Sequence, residues 1–155
     1  TIDDIKFICL PSRHFSGRGL FNTNSTLWSS WAILSKQAKI YFSGDSGYGL
    51  HFKDIGNNYG PFNISLIDCG QYNDAWKHLH MFPEECTKAS IDLKSDYYMP
   101  IHWGAFTLST HNWDEPINQS IFYSEKYGQK ILAPSIGEVV FLDNINHQTI
   151  KWWNE

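Results

Sequence analysis

The chain has 155 residues, of which 42% are hydrophobic and 18% charged, enough for one domain or for one half of a larger one. A net charge of −4 supplies no basic field and argues against nucleic acid as a partner, while no run reaches the roughly 18 apolar residues of a membrane span. Three cysteines (Cys9, Cys69 and Cys86), odd in number and widely spaced, read as reduced thiols and point to a cytoplasmic setting, not to a disulfide framework.

In chain order, Asp4–Leu10 reads as a strand stopped by Pro11 and Ser12. His14 stands at the start of the loop that follows. Leu27–Ser35 and Ala38–Ser43 read as two strands joined by a short polar turn, an antiparallel hairpin delivering Asp45 between two glycines. Leu50–Tyr59 carries a helical face closed by Gly60 and Pro61, and Phe62–Cys69 reads as a buried strand. Tyr72–Phe82 lacks periodicity and reads as a loop. Pro83, Glu84 and Glu85 open a helix running to about Lys94, with proline and acidic residues suited to a first turn. Tyr97–His102 is a further strand, and a helix of about ten residues ends at Tyr127, with Gly128 as its cap. Lys130–Ala133 and Glu138–Asp143 suggest a closing hairpin. Alternating strands and helices make this an α/β layered chain.

His14, Asp45 and His102 share one placement, each just beyond a predicted strand. If those strands run the same way in one sheet, the three side chains meet on one rim. Imidazole and carboxylate are suitable ligands for zinc or another divalent transition metal, and such wide spacing suits a preformed scaffold better than a zinc finger. His80 could donate a proton or be a plain loop histidine, and Tyr72 and Trp76 could line a substrate cleft or simply pack. His51, His78, His111 and His147 read as surface or capping residues.

Pro11-Ser-Arg-His-Phe-Ser16, Trp28-Ser-Ser-Trp31, Phe42-Ser-Gly-Asp-Ser-Gly-Tyr48, Tyr59-Gly-Pro-Phe62, Pro83-Glu-Glu85 and Ile101-His-Trp-Gly104 occur here in one register. Together they resemble the C-terminal half of metallo-β-lactamase-fold hydrolases, in particular the branch of the N-acylphosphatidylethanolamine-hydrolysing phospholipase D and its bacterial relatives. The resemblance implies half of an αββα sandwich and, in the whole protein, two zinc ions. His14 matches a ligand of the first ion, Asp45 the carboxylate bridging both, and His102 a ligand of the second. His80 matches a site-facing histidine. An activated hydroxide would then attack a phosphodiester of a phospholipid or phosphorylated metabolite; lactone opening on the same metal core is the second enzymatic reading.

The family's His-x-His-x-Asp-His signature does not occur in the chain. The expectation is therefore of a C-terminal half whose N-terminal half, with most of the ligands, is missing, and which is inactive alone. A further expectation is a bare sheet face that drives self-association, with a small-molecule or lipid substrate and a peripheral membrane contact as the other partners. The rival of another class is a carbohydrate-binding module, suggested by seven Trp and eight Tyr, or a degenerate scaffold without metal.

Overall fold

The structure, a computed structural model, describes residues 1–17, 19–106, 108–143, 145 and 151–154. Six strands form one sheet: β1 (Lys6–Leu10), β2 (Ser30–Leu34), β3 (Lys39–Phe42), β4 (Phe62–Asp68), β5 (Ser95–Ile101) and β6 (Lys130–Ile131). Three helices connect them: α1 (His51–Asn58), α2 (Pro83–Asp92) and α3 (Glu115–Tyr127). The strands lie side by side in chain order. β1, β2 and β3 pair antiparallel as a meander, whereas β3, β4, β5 and β6 pair parallel.

That order decides where the helices go. Parallel crossovers are right-handed, so a sheet that always adds its next strand on the same side carries its crossover helices on one face. Register identifies that face: Ile8, Ala32, Tyr41, Ser65 and Tyr98 are successive cross-strand partners on it. The Tyr41 ring meets Phe52 of α1 at 6.1 Å. The fully buried Tyr98 hydroxyl donates to the Ser120 carbonyl of α3 at 3.2 Å and lies 2.9 Å from Thr87 Oγ1 of α2 and 2.9 Å from Ser124 Oγ of α3. The core is therefore a sheet face capped by helices.

The other face is bare among the described residues. Phe7, Ile33 and Ile40 are cross-strand partners there, as are Cys9, Trp31 and Phe42, followed by Leu66 and Met99. Phe7, Trp31 and Phe42 are 40%, 37% and 39% exposed. Apolar side chains on both faces of a sheet are the mark of a sheet built to be covered twice.

Local chemistry explains the helix ends. Pro83 sits in the first turn of α2, and the Phe82 N–H donates to the Glu85 carboxylate at 3.0 Å. Gly128 closes α3 in the left-handed conformation, with φ of 69°. Helix α3 has 13 residues where the sequence suggests about ten. The loop expected over Tyr72–Phe82 contains one 3₁₀ turn, Asp74–Trp76, capped by the Asn73 side chain, which accepts from the Ala75 N–H.

The expected C-terminal hairpin does not form. β6 is two residues long and pairs parallel with β5, and Glu138–Asp143 is in no strand. Pro134 has no N–H to extend the ladder. The chain instead closes a turn in which the Glu138 N–H donates to the Ser135 carbonyl and the Ser135 N–H donates to the Glu138 carboxylate.

Candidate metal and catalytic site

β1, β3, β4 and β5 all point the same way, because β1 and β3 are each antiparallel to β2 and the later strands are parallel to β3. Their C-terminal ends share one rim, the usual place for chemistry in such sheets. His14 lies four residues beyond β1, Asp45 three beyond β3, Asp68 closes β4 and His102 follows β5 directly. Candidate ligand atoms of His14, Asp45 and His80 lie within 4.8 Å of one another, and so do those of Asp68, His80 and His102. His102 Nε2 is 3.9 Å from Asp45 Oδ1. The His80 ring lies 5.1 Å from that of His14 and 5.4 Å from that of His102. Thus the three predicted ligands and His80 do converge, and Asp68 joins them.

Hydrogen bonds stitch the loops together. Ser12 Oγ donates to the Asp45 carbonyl at 2.9 Å, the Gly47 N–H to the Arg13 carbonyl at 2.8 Å, and the Arg13 N–H to Ser46 Oγ at 3.1 Å. The His14 loop and the Asp45 loop are therefore one unit. Two glycines allow the remaining close approaches. A Cβ at Gly47 would stand 2.1 Å from the His78 carbonyl oxygen, and one at Gly70 would stand 1.6 Å from that of His102. His102 itself has φ of 65°, a conformation that non-glycine residues adopt at a cost.

The turn carrying His102 is held from behind by tryptophans. Trp103 donates its indole N–H to the Pro100 carbonyl at 3.0 Å. Its ring packs at 6.5, 5.5 and 5.6 Å against Trp113, Trp152 and Trp153. Trp153 is anchored in turn by donation to Asn118 Oδ1 of α3.

Asp68 is completely buried, and its Oδ2 accepts from the Ser46 N–H at 3.2 Å and meets His80 Nδ1 at 2.8 Å. Burial pushes the Asp68 carboxyl above the ordinary carboxylate range, and the hydrogen bond from His80 pulls against that rise. Burial works against a charged ring at His80, but the hydrogen bond to Asp68 and the charges of Asp68 and Asp45 outweigh it, leaving the imidazole pKa raised.

Donor chemistry at the rim fits a transition metal. His14 Nδ1 faces the Phe15 carbonyl at 3.0 Å and donates to it, leaving Nε2 buried with no partner. An imidazole held by a carbonyl at one nitrogen, with the other free, is oriented as a metal ligand is. Asp45 remains 46% exposed, with both oxygens available to an ion. A groove of about 510 Å³ opens at His14, lined by Phe15, Thr26, Leu27 and Trp28 among others.

Tyr72 and Trp76 are placed differently from the metal candidates. Tyr72 is buried, donates to Glu115 Oε1 at 2.7 Å and stacks on His111. It lines a cleft of about 430 Å³ between α2 and α3, whose lining includes Phe82, Glu84 and Lys88 but not His14, Asp45 or His102. Trp76 is half-buried and donates to the Gln71 carbonyl at 2.6 Å. Of the remaining histidines, His51 is half-buried, with its pKa lowered by burial and by Arg13; His147 lies outside the described residues.

Asp68 is the residue sequence reasoning missed. The available signal is a carboxylate ending the apolar strand Phe62–Asp68 immediately before Cys69 and Gly70.

A family model described as a beta-lactamase superfamily domain matches residues 1–103. An uncharacterized protein of Mycobacterium tuberculosis is 40% identical over 142 residues, covering 90% of this chain and 38% of that protein. N-acyl-phosphatidylethanolamine-hydrolyzing phospholipase D 1 of Caenorhabditis elegans is 36% identical over 105 residues, covering 66% of this chain and 30% of the enzyme. The chain thus spans well under half the length of these two relatives. Among solved structures, Igni18, a metallo hydrolase from Ignicoccus hospitalis, superposes with a TM-score of 0.67 at 19% identity, covering 88% of this chain and 52% of that one.

Proposed function

The chain belongs to the family of beta-lactamase superfamily domains, and on that footing we propose that the complete protein is a zinc-dependent hydrolase that cleaves a phosphodiester bond. One observation carries this reading: His14, Asp45 and His80 present donor atoms within 4.8 Å of one another, and the buried Nε2 of His14 has no partner. His14 through Nε2, Asp45 through its carboxylate and His102 through its ring would hold two ions. The remaining ligands would come from the rest of the complete protein, which would also cover the bare sheet face. Ions bound there supply Lewis acidity toward a phosphoryl oxygen and an activated water.

The chain's own residues do the rest. Asp45 has two oxygens, so one side chain can serve two cations. His80, between His14 and His102, takes up a proton at one ring nitrogen from the attacking water and passes it to the departing oxygen. The groove beside His14 receives the substrate, and its surroundings favour a lipid: Leu20, Phe21 and Leu27 follow His14 in the chain and are 91%, 99% and 91% exposed. These apolar tips suit a membrane surface better than water. The phosphodiester assignment rests on the named activity of the C. elegans relative.

The test is metal analysis of the complete protein together with hydrolysis of N-acylphosphatidylethanolamine vesicles, a soluble aryl phosphodiester and a lactone. The expected result is about two ions per chain and diester cleavage that His14→Ala, Asp45→Ala and His102→Ala each abolish. A folded protein that retains no transition metal and cleaves neither diester refutes the proposal. Turnover of the lactone alone reassigns the same site to lactone hydrolysis.

A further inference from the structure

Asp68 lies outside the predicted ligand set, yet it is the only completely buried carboxylate at the rim among the described residues, and its contacts are specific. Its Oδ2 receives two groups, the Ser46 backbone N–H at 3.2 Å and His80 Nδ1 at 2.8 Å. The first has no choice of role, because a backbone N–H can only donate. Oδ2 already serves as an acceptor there, and with Asp68 ionised the Nδ1 that meets the same oxygen is the protonated ring nitrogen. The other ring nitrogen, Nε2, is then left for the space shared with His14, Asp45 and His102.

We propose that Asp68 is a positioning residue: it holds His80 as the Nδ1–H form and aims Nε2 into the candidate metal and catalytic site. Three features make the hold firm. Asp68 closes β4, a strand paired on both sides, so its backbone cannot swing. Its own N–H donates to Ser43 Oγ at 2.9 Å, tying it to the end of β3. The His80 ring is 13% exposed and wedged between the His14 and His102 rings, so rotation away from Asp68 would need both to move. A free histidine in water favours the Nε2–H form, so selection of the other tautomer is a measurable imprint of Asp68. Carboxylates and carbonyls that orient a site histidine in this way commonly change affinity or activity by about 10–100-fold when removed.

The kinetic part of this inference rests on the hydrolase reading; the tautomer part does not. The experiment is a two-bond proton–nitrogen NMR correlation of the metal-free complete protein labelled with ¹⁵N-histidine, with His80 assigned through His80→Gln. The wild type is expected to show His80 protonated at Nδ1. Asp68→Asn is expected to keep that pattern, because the Ser46 N–H selects the amide oxygen for the shared position and leaves the acceptor in place. Asp68→Ala is expected to release the ring to the Nε2–H form. In the loaded enzyme Asp68→Ala should lower kcat for the soluble diester by about 10–100-fold with KM little changed, and Asp68→Asn should recover most of the loss. A wild-type His80 protonated at Nε2 overturns the proposal, as does an Asp68→Ala spectrum unchanged from wild type, or an Asp68→Asn spectrum like that of Asp68→Ala. If Asp68→Ala does not fold, the wild-type and Asp68→Asn spectra still decide. Absence of diester turnover by the wild type would sink the hydrolase reading and leave the tautomer result standing.

Discussion

Gly70→Ala should disable the site by displacing His102. The new Cβ would stand 1.6 Å from the His102 carbonyl oxygen and 2.5 Å from its carbonyl carbon. Side-chain carbons essentially never come within 3.0 Å of such an atom, so one backbone must retreat by about 1.4 Å. Gly70, two residues beyond β4, is anchored through the buried Cys69, whose N–H donates to the Ile101 carbonyl at 3.0 Å and whose Sγ meets Ser120 Oγ at 2.9 Å. The His102 turn is the softer partner: it lies beyond the last residue of β5 and is already held at φ of 65°. Metal–ligand distances tolerate only about ±0.2 Å, and a misplacement of about 1 Å at a reacting centre can cost about 10²-fold in rate. The expected outcome is loss of at least one ion per chain and a fall of about 10²-fold in kcat/KM, equivalent to about 2.7 kcal/mol. Overpacking should add about 1–3 kcal/mol of destabilisation. Metal content and diester kinetics of the complete protein, with urea unfolding alongside, make the test. A folded Gly70→Ala variant with both ions retained and kcat/KM unchanged would refute this account of the loop.

Gly56→Ala is the matching control: its Cβ would stand 2.0 Å from the Asp92 carbonyl, where α1 meets the end of α2, so urea unfolding should show about 1–3 kcal/mol lost with metal content intact. Glu84 ties α2 to α3. Its carboxyl is held below the usual range first by the Tyr127 hydrogen bond, then by Lys88, so this stabilisation is present above the unfolded carboxylate pKa and disappears as pH falls through the lower folded value. Glu84→Gln should accordingly flatten the acid limb of a thermal-stability profile; an unchanged limb would contradict the assignment. The bare sheet face should make residues 1–155 alone self-associate, and Trp31→Lys with Phe42→Lys should shift light scattering toward monomer. A strictly monomeric wild-type chain would count against that face needing a cover.

Much of the fold was legible because its signals are local. Apolar runs such as Lys39–Phe42 and Phe62–Asp68 end at glycines or polar residues, and Pro83 and Gly128 mark helix limits through their own backbone chemistry. His14, Asp45 and His102 meet because three strands that run the same way end on one rim, while their reading as metal ligands leaned on the register of the six motifs. Asp68 was not legible in this way. Inside an apolar strand a single carboxylate looks like a turn signal, and its partners Ser46 and His80 are 22 and 12 residues away in the chain. The tail misled for the opposite reason: Val139, Val140 and Phe141 have strand composition, but strand formation also needs an unoccupied edge in register, and Pro134 interrupts the approach to it.

The tryptophan stack behind His102 has an optical consequence. Trp103 adjoins a candidate ligand and lies within 6.5 Å of three other indoles, a spacing at which excitation migrates readily among rings. Light absorbed by any of the four can therefore be emitted or lost beside His102. Ions with partly filled d shells, such as cobalt(II) or copper(II), quench nearby indoles, whereas zinc does not. Swapping one ion for another would turn the protein's own emission into a gauge of occupancy, with no label added.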